Sequence, residues 1–178
     1  MSERKRIYLC LAHMSEAGLE QKYIKEAFDT NWVVPLGPNV NGFEKDLEDF
    51  VNDVKAVAQP AAGMTCFPEP TLHKRVVALS SGTSAVHLAL INCGVKPGDE
   101  VLVQSYTFCA SSHPITYLGA QPVFVGSEGE TWNMDPALLE QAIIDRKAKT
   151  GRLPKAIVPV ALYGMPYRID EIMAIAEK

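Results

Sequence analysis

From residue 76 onward the chain alternates short apolar runs with helical patterns, and this alternation restricts the fold more than any other feature. Strand patterns fall at 76–79, 100–104, 122–125 and 156–161, and helical patterns at 84–92, near 112–118, at 136–147 and from 169. Parallel strands need crossovers long enough to hold a helix, so this order predicts an α/β fold, a mainly parallel sheet covered by helices in three layers.

Local signals support the helices. Asp135-Pro136 reads as an N-cap followed by the first helical residue, with Leu138, Leu139, Ala142 and Ile143 on one face. Ile169, Ile172, Met173 and Ala176 form a similar stripe. Ahead of the sheet two amphipathic helices are expected, one turning Leu19, Tyr23, Ala27 and Phe28 inward, the other Phe43, Leu47, Phe50 and Val51. Between them lies a loop, 31–38, with Pro35 and Pro38 and an aromatic, Trp32, that has no obvious local partner. Over 54–73 Ala, Pro and Gly dominate and no period persists, which reads as a loop insertion. The expected organisation is therefore 1–53, the amino-terminal helices and loop; 54–73, the insertion; and 74–178, the first part of an α/β domain. An α/β unit that stops on its crossover helix is unfinished, so further protein is expected beyond Lys178.

With 178 residues, 47% of them hydrophobic, there is material for one sizeable core. Lys and Arg are scattered at a net charge of −4, apart from Arg4-Lys5-Arg6, so no basic face invites nucleic acid. No apolar run approaches the roughly 18 residues of a membrane span, and 7–12 is too short for a signal-peptide core. A cytoplasmic protein without a membrane partner is expected. Cys10, Cys66, Cys93 and Cys109 form no Cys-x-x-Cys pair, and His13, His73, His87 and His113 share no spacing, so no metal centre or disulfide is expected.

Two turns stand where ligands sit in parallel α/β sheets, beyond the carboxyl ends of strands. At Ser80-Ser81-Gly82-Thr83, Gly82 lets the backbone approach a ligand, and Thr83 and Ser84 add hydroxyls beside the free amides of a first helical turn. That geometry suits a phosphate. Ser-Gly-Thr turns also cap helices with no ligand, so the turn alone leaves both readings open. Ser105-Tyr106-Thr107-Phe108 follows the strand at 100–104, which is expected to neighbour the first strand, and its aromatics are either core residues or a flat platform beside the phosphate.

The ordered series Gly37-Pro38, Phe43-Glu44, Leu79-Ser80-Ser81-Gly82-Thr83-Ser84-Ala85, Tyr106-Thr107-Phe108, Gly119-Ala120-Gln121-Pro122-Val123-Phe124-Val125 and Tyr163-Gly164 resembles the DegT family of sugar aminotransferases. The resemblance covers the chain except for 54–73. It implies the large domain of a fold type I pyridoxal-phosphate enzyme, incomplete in this chain, that acts on a keto sugar, mostly nucleotide-linked, with an amino donor, as a homodimer. It also implies that the amides of Gly82 and Thr83 and the Thr83 hydroxyl hold the cofactor phosphate, while Phe108 stacks on the pyridine ring. The family's Asp that pairs with the ring nitrogen, and the Lys that forms the Schiff base, would lie beyond Lys178, so no catalytic residue is assigned here and the chain alone is expected to be inactive. Two positions depart from the family: Ala161 stands where many relatives have His, and Gly126 where Asp is usual. The alternatives are a non-catalytic truncated relative, the family's sugar dehydratase variant, and a nucleotide-binding oxidoreductase. The last lacks the Gly-x-Gly-x-x-Gly fingerprint.

Overall fold

Val101, Leu102 and Val103 are completely buried, as a strand covered on both faces requires. In the computed structural model, which describes residues 13–52 and 73–178, they form the middle of strand β1 (Glu100–Gln104). The described residues fall into two units, 13–52 with 73–78, and 79–178.

The second unit holds, in order, helix α3 (Gly82–Asn92), β1, helix α4 (His113–Tyr117), strand β2 (Gln121–Val125), helix α5 (Pro136–Thr150), strand β3 (Ala156–Val158) and helix α6 (Ile169–Glu177). The sheet is parallel throughout, in the order β2-β1-β3, with Leu102 opposite Val123 and Ile157. Side-chain alternation along β1 divides the core in two. Val101 and Val103 join Leu90, Ile115 and Ala120 beneath α3 and α4. Leu102 joins Val125, Met134, Leu139 and Ile172 beneath α5 and α6. This is the expected three-layer α/β arrangement.

Helix α5 begins as its sequence predicts: the Asp135 carboxylate accepts from the amides of Ala137 (2.8 Å) and Leu138 (3.2 Å), and Pro136 fills the first helical position. It ends at Gly151, whose φ of 73° permits the left-handed turn. In α5 and α6 the inward stripes differ slightly from expectation. Leu138 and Ile169 remain exposed, and Ile175 packs on the core in place of Ala176. The strand expected over 156–161 stops at Val158, and Leu162–Gly164 forms a short 3-10 turn.

The first unit contains α1 (Leu19–Asp29), α2 (Pro38–Asn52) and residues 73–78. The strand expected over 76–79 does not form. Glu44 and Glu48, one helical turn apart on α2, take its amides instead, Ala78 N–H donating to Glu44 (2.7 Å) and Val76 N–H to Glu48 (3.2 Å). With those donors satisfied by side chains, no ladder is needed.

The apolar stripes of α1 and α2 also differ from expectation. Neither helix has a buried residue, and Leu19, Tyr23, Phe28, Phe43, Leu47 and Phe50 are all exposed, because two helices and one extended segment offer too little surface to cover both stripes. Trp32 does have a local partner: a β carbon at Gly37 would fall 3.0 Å from its ring. The insertion read at 54–73 lies outside the described residues, apart from His73.

Candidate functional site

The carboxyl ends of the three strands and the start of α3 carry the candidate site. Ser81 is extended (φ −162°, ψ 160°), and its hydroxyl accepts the Ser84 amide at 3.2 Å. The Ser81 carbonyl takes the Ala85 amide at 3.1 Å. The turn is thus a helix cap, and its capping uses the amide of Ser84 only. The amides of Gly82 and Thr83 make no hydrogen bond among the described residues. A β carbon at Gly82 would meet nothing within 4 Å, so the space beside that residue is open. Two free N–H groups at the positive end of an 11-residue helix suit a dianionic phosphate.

Phe108 is joined to α3 through the turn that follows it. It precedes the 3-10 turn Cys109–Ser111, which packs against α3, and 80% of its surface is exposed. Its backbone is held: the Ser111 amide donates to the Phe108 carbonyl (3.0 Å), and the hydroxyls of Thr107 and Ser111 bond at 2.9 Å. A large apolar ring fixed at its backbone but covered by nothing is available to a flat ligand. Tyr106 behaves differently, packing at a tilt against Trp132 with ring centroids 5.8 Å apart.

Three polar residues that sequence reasoning passed over build the floor of this region. Gln104 is completely buried. Its Oε1 accepts from the amides of Met134 (2.8 Å) and Val160 (3.3 Å), and its Nε2 donates to the Tyr106 carbonyl (2.9 Å). Asn133, also buried, accepts from the Leu162 amide and donates to the Met165 carbonyl, both at 2.9 Å. Glu128 closes a tight turn by accepting from the amides of Glu130 (2.6 Å) and Thr131 (2.8 Å) and from the Thr131 hydroxyl. Chiefly through that hydroxyl, then the Glu130 amide, its carboxyl is lowered from 4.5 to about 2, against the opposing effect of burial. The one sequence signal was polarity in the wrong place: Gln104 ends an apolar strand, and Asn133 precedes a buried Met.

Above these clamps Tyr106, Trp132, Tyr163 and Met165 line an open pocket of about 610 Å³. Trp132 and Tyr163 have left-handed backbones (φ 64° and 51°), a strained state for bulky residues that the clamps on either side hold in place. The two departures from the family pattern have local accounts. At Gly126 a β carbon would sit 2.9 Å from Leu138 Cδ1, so an Asp there requires Leu138 to move. Ala161 is exposed, and its carbonyl accepts the Gly164 amide at 3.0 Å.

The loops after the strands, 105–112, 126–135 and 159–166, contain no lysine. Lys147 and Lys149 lie in the last turn of α5, Lys155 immediately precedes β3, and Lys178 pairs with Glu140 at 2.6 Å. Among the described residues no cluster of His, Cys, Asp or Glu could hold a metal ion, and no helix is long and apolar enough to cross a membrane.

Residues 65–178 match the DegT/DnrJ/EryC1/StrS aminotransferase family. The chain is 46% identical over 97% of its length to a protein of Bacillus subtilis described as a candidate pyridoxal phosphate-dependent aminotransferase, EpsN, and covers 39% of it. It is 35% identical over its full length to the GDP-perosamine synthase of Caulobacter vibrioides, covering 40% of that protein. Among solved structures, the PLP form of a candidate sugar aminotransferase from Streptococcus pneumoniae superposes with a TM-score of 0.63 at 30% identity, over 92% of this chain and 34% of that one. The chain thus spans about two fifths of the length of the curated relatives it matches.

Proposed function

Because the chain belongs to the DegT/DnrJ/EryC1/StrS aminotransferase family, we propose that residues 79–178 hold pyridoxal phosphate for amino-group transfer from an amino donor to a keto sugar. A nucleotide-linked sugar destined for polysaccharide or other sugar biosynthesis fits the GDP-sugar relative, and a homodimer working in the cytoplasm fits such a substrate. The observation that carries the reading is the pair of unengaged amides at Gly82 and Thr83, on a helix packed against the turn that presents Phe108.

When bound, the cofactor supplies an electron sink for bond changes at the amine-bearing carbon. The residues of this chain do the holding. Gly82 and Thr83 donate N–H to the phosphate, the Thr83 hydroxyl adds a third donor, and Phe108 covers one face of the ring. With no lysine in the three loops, this part of the site binds and orients, and it moves no proton at the substrate carbon.

The test is phosphate and pyridoxal phosphate binding by the chain and by Thr83→Val, which keeps the amide and side-chain shape and removes the hydroxyl. A weakening of about 10- to 150-fold for both ligands, with folding stability unchanged, is expected for one lost hydrogen bond to a charged group. Equal affinity in both proteins, or binding lost only as the protein unfolds, would contradict the reading.

A further inference from the structure

The three partners of the Gln104 amide belong to three different loops. Tyr106 follows β1, Met134 follows β2 and Val160 follows β3. One wholly buried side chain therefore ties together the chain leaving the carboxyl end of every strand in the sheet. The chemistry of the partners fixes its orientation. Two N–H groups must face the amide oxygen and one carbonyl must face the amide nitrogen, so no other side chain of this length satisfies all three.

Phe108 has no packing of its own to orient it, being 80% exposed. The position of its ring is set by the backbone on either side, anchored at Tyr106 by Gln104 and at Ser111 by the bonds to Phe108 and Thr107. We propose that Gln104 is a positioning residue for the cofactor: by joining the three loops through Tyr106, Met134 and Val160, it holds the Phe108 platform in register with the Gly82 and Thr83 cradle. The inference rests on the proposed function for its cofactor, while the loop clamp stands on the geometry alone.

The experiment compares Gln104→Met, which keeps the volume and loses all three bonds, with Val101→Ala, which damages the core three residues earlier on the same strand, in an apolar cluster that contains no residue of the three loops. Two quantities are read in each, pyridoxal phosphate affinity and amide hydrogen exchange along the chain. In Gln104→Met the affinity is expected to fall about tenfold, with faster exchange over 105–112 and 159–166. In Val101→Ala the protein is less stable, yet the folded fraction binds with unchanged affinity. If Gln104→Met does not fold, Gln104→Asn serves, since an amide one methylene shorter cannot reach all three partners. Unchanged affinity in the folded Gln104 variants, or an equal loss in Val101→Ala, overturns the positioning role. If the unaltered chain binds no pyridoxal phosphate the proposed function fails, and exchange then decides the clamp: loop acceleration confined to the Gln104 variants supports it, and identical patterns in all variants overturn it.

Discussion

Truncating Phe108 to Ala separates a ligand-binding role from a structural one, because the structure assigns the ring almost no packing. With 80% of the residue already in water, removing the ring changes little on folding, and a stability loss below about 0.5 kcal/mol is expected. Covering one face of an exposed phenyl removes roughly 50 Å² from water on the ring and a similar area on the partner. At about 25 cal/mol/Å², that is about 2.5 kcal/mol, to which aromatic stacking adds roughly 0.5–1.5. Part of this area stays covered by Ala, so a net loss of about 2–3 kcal/mol in cofactor binding is expected, or roughly 30- to 150-fold in Kd. The assay pairs urea unfolding with titration of pyridoxal phosphate followed by its absorbance. Ile115→Ala is the opposite control: it empties a completely buried position, should cost about 2–5 kcal/mol of stability, and should leave the Kd of the folded protein unchanged. A Phe108→Ala protein that binds as tightly as the original, or loses stability as Ile115→Ala does, would refute the platform.

Acid should loosen the turn beneath the pocket. The folded carboxyl of Glu128 titrates at about 2, below its ordinary 4.5, so its stabilisation is complete above about pH 4.5 and fades as pH falls through 2. Glu128→Gln should flatten that part of the stability profile, measured as Tm from pH 7 down to 2; parallel profiles would count against the turn-closing role. Borohydride reduction of the chain mixed with pyridoxal phosphate should leave no single lysine modified in stoichiometric yield, since the three loops carry none. Peptide mapping that found one such lysine would show an amine within reach of the cofactor.

Much of the cradle was legible because its cause is local. The run from Ser80 to Ala85 carries its own capping side chain, its own glycine and its own helix start, and the structure draws those bonds within five residues of sequence. Asp135-Pro136 and Gly151 were readable for the same reason, as caps act over one turn. Gln104 and Asn133 were not readable. Their partners lie up to 56 residues away, and a polar residue at a strand end has no pattern until the loops that receive it are placed.

The sequence by itself determined the order of strands and helices from residue 82 onward, the parallel class of the sheet and the capped turn that opens α3. Periodicity and capping depend on near neighbours along the chain. Tertiary structure decided which apolar stripes are covered and which are left exposed, as on α1 and α2, and it decided that residues 76 and 78 give their amides to Glu44 and Glu48 and not to a sheet. It also decided that one buried amide joins all three loops. A hydrogen-bond donor takes whichever acceptor the fold brings within about 3 Å, and burial depends on surfaces that meet only once the chain has packed.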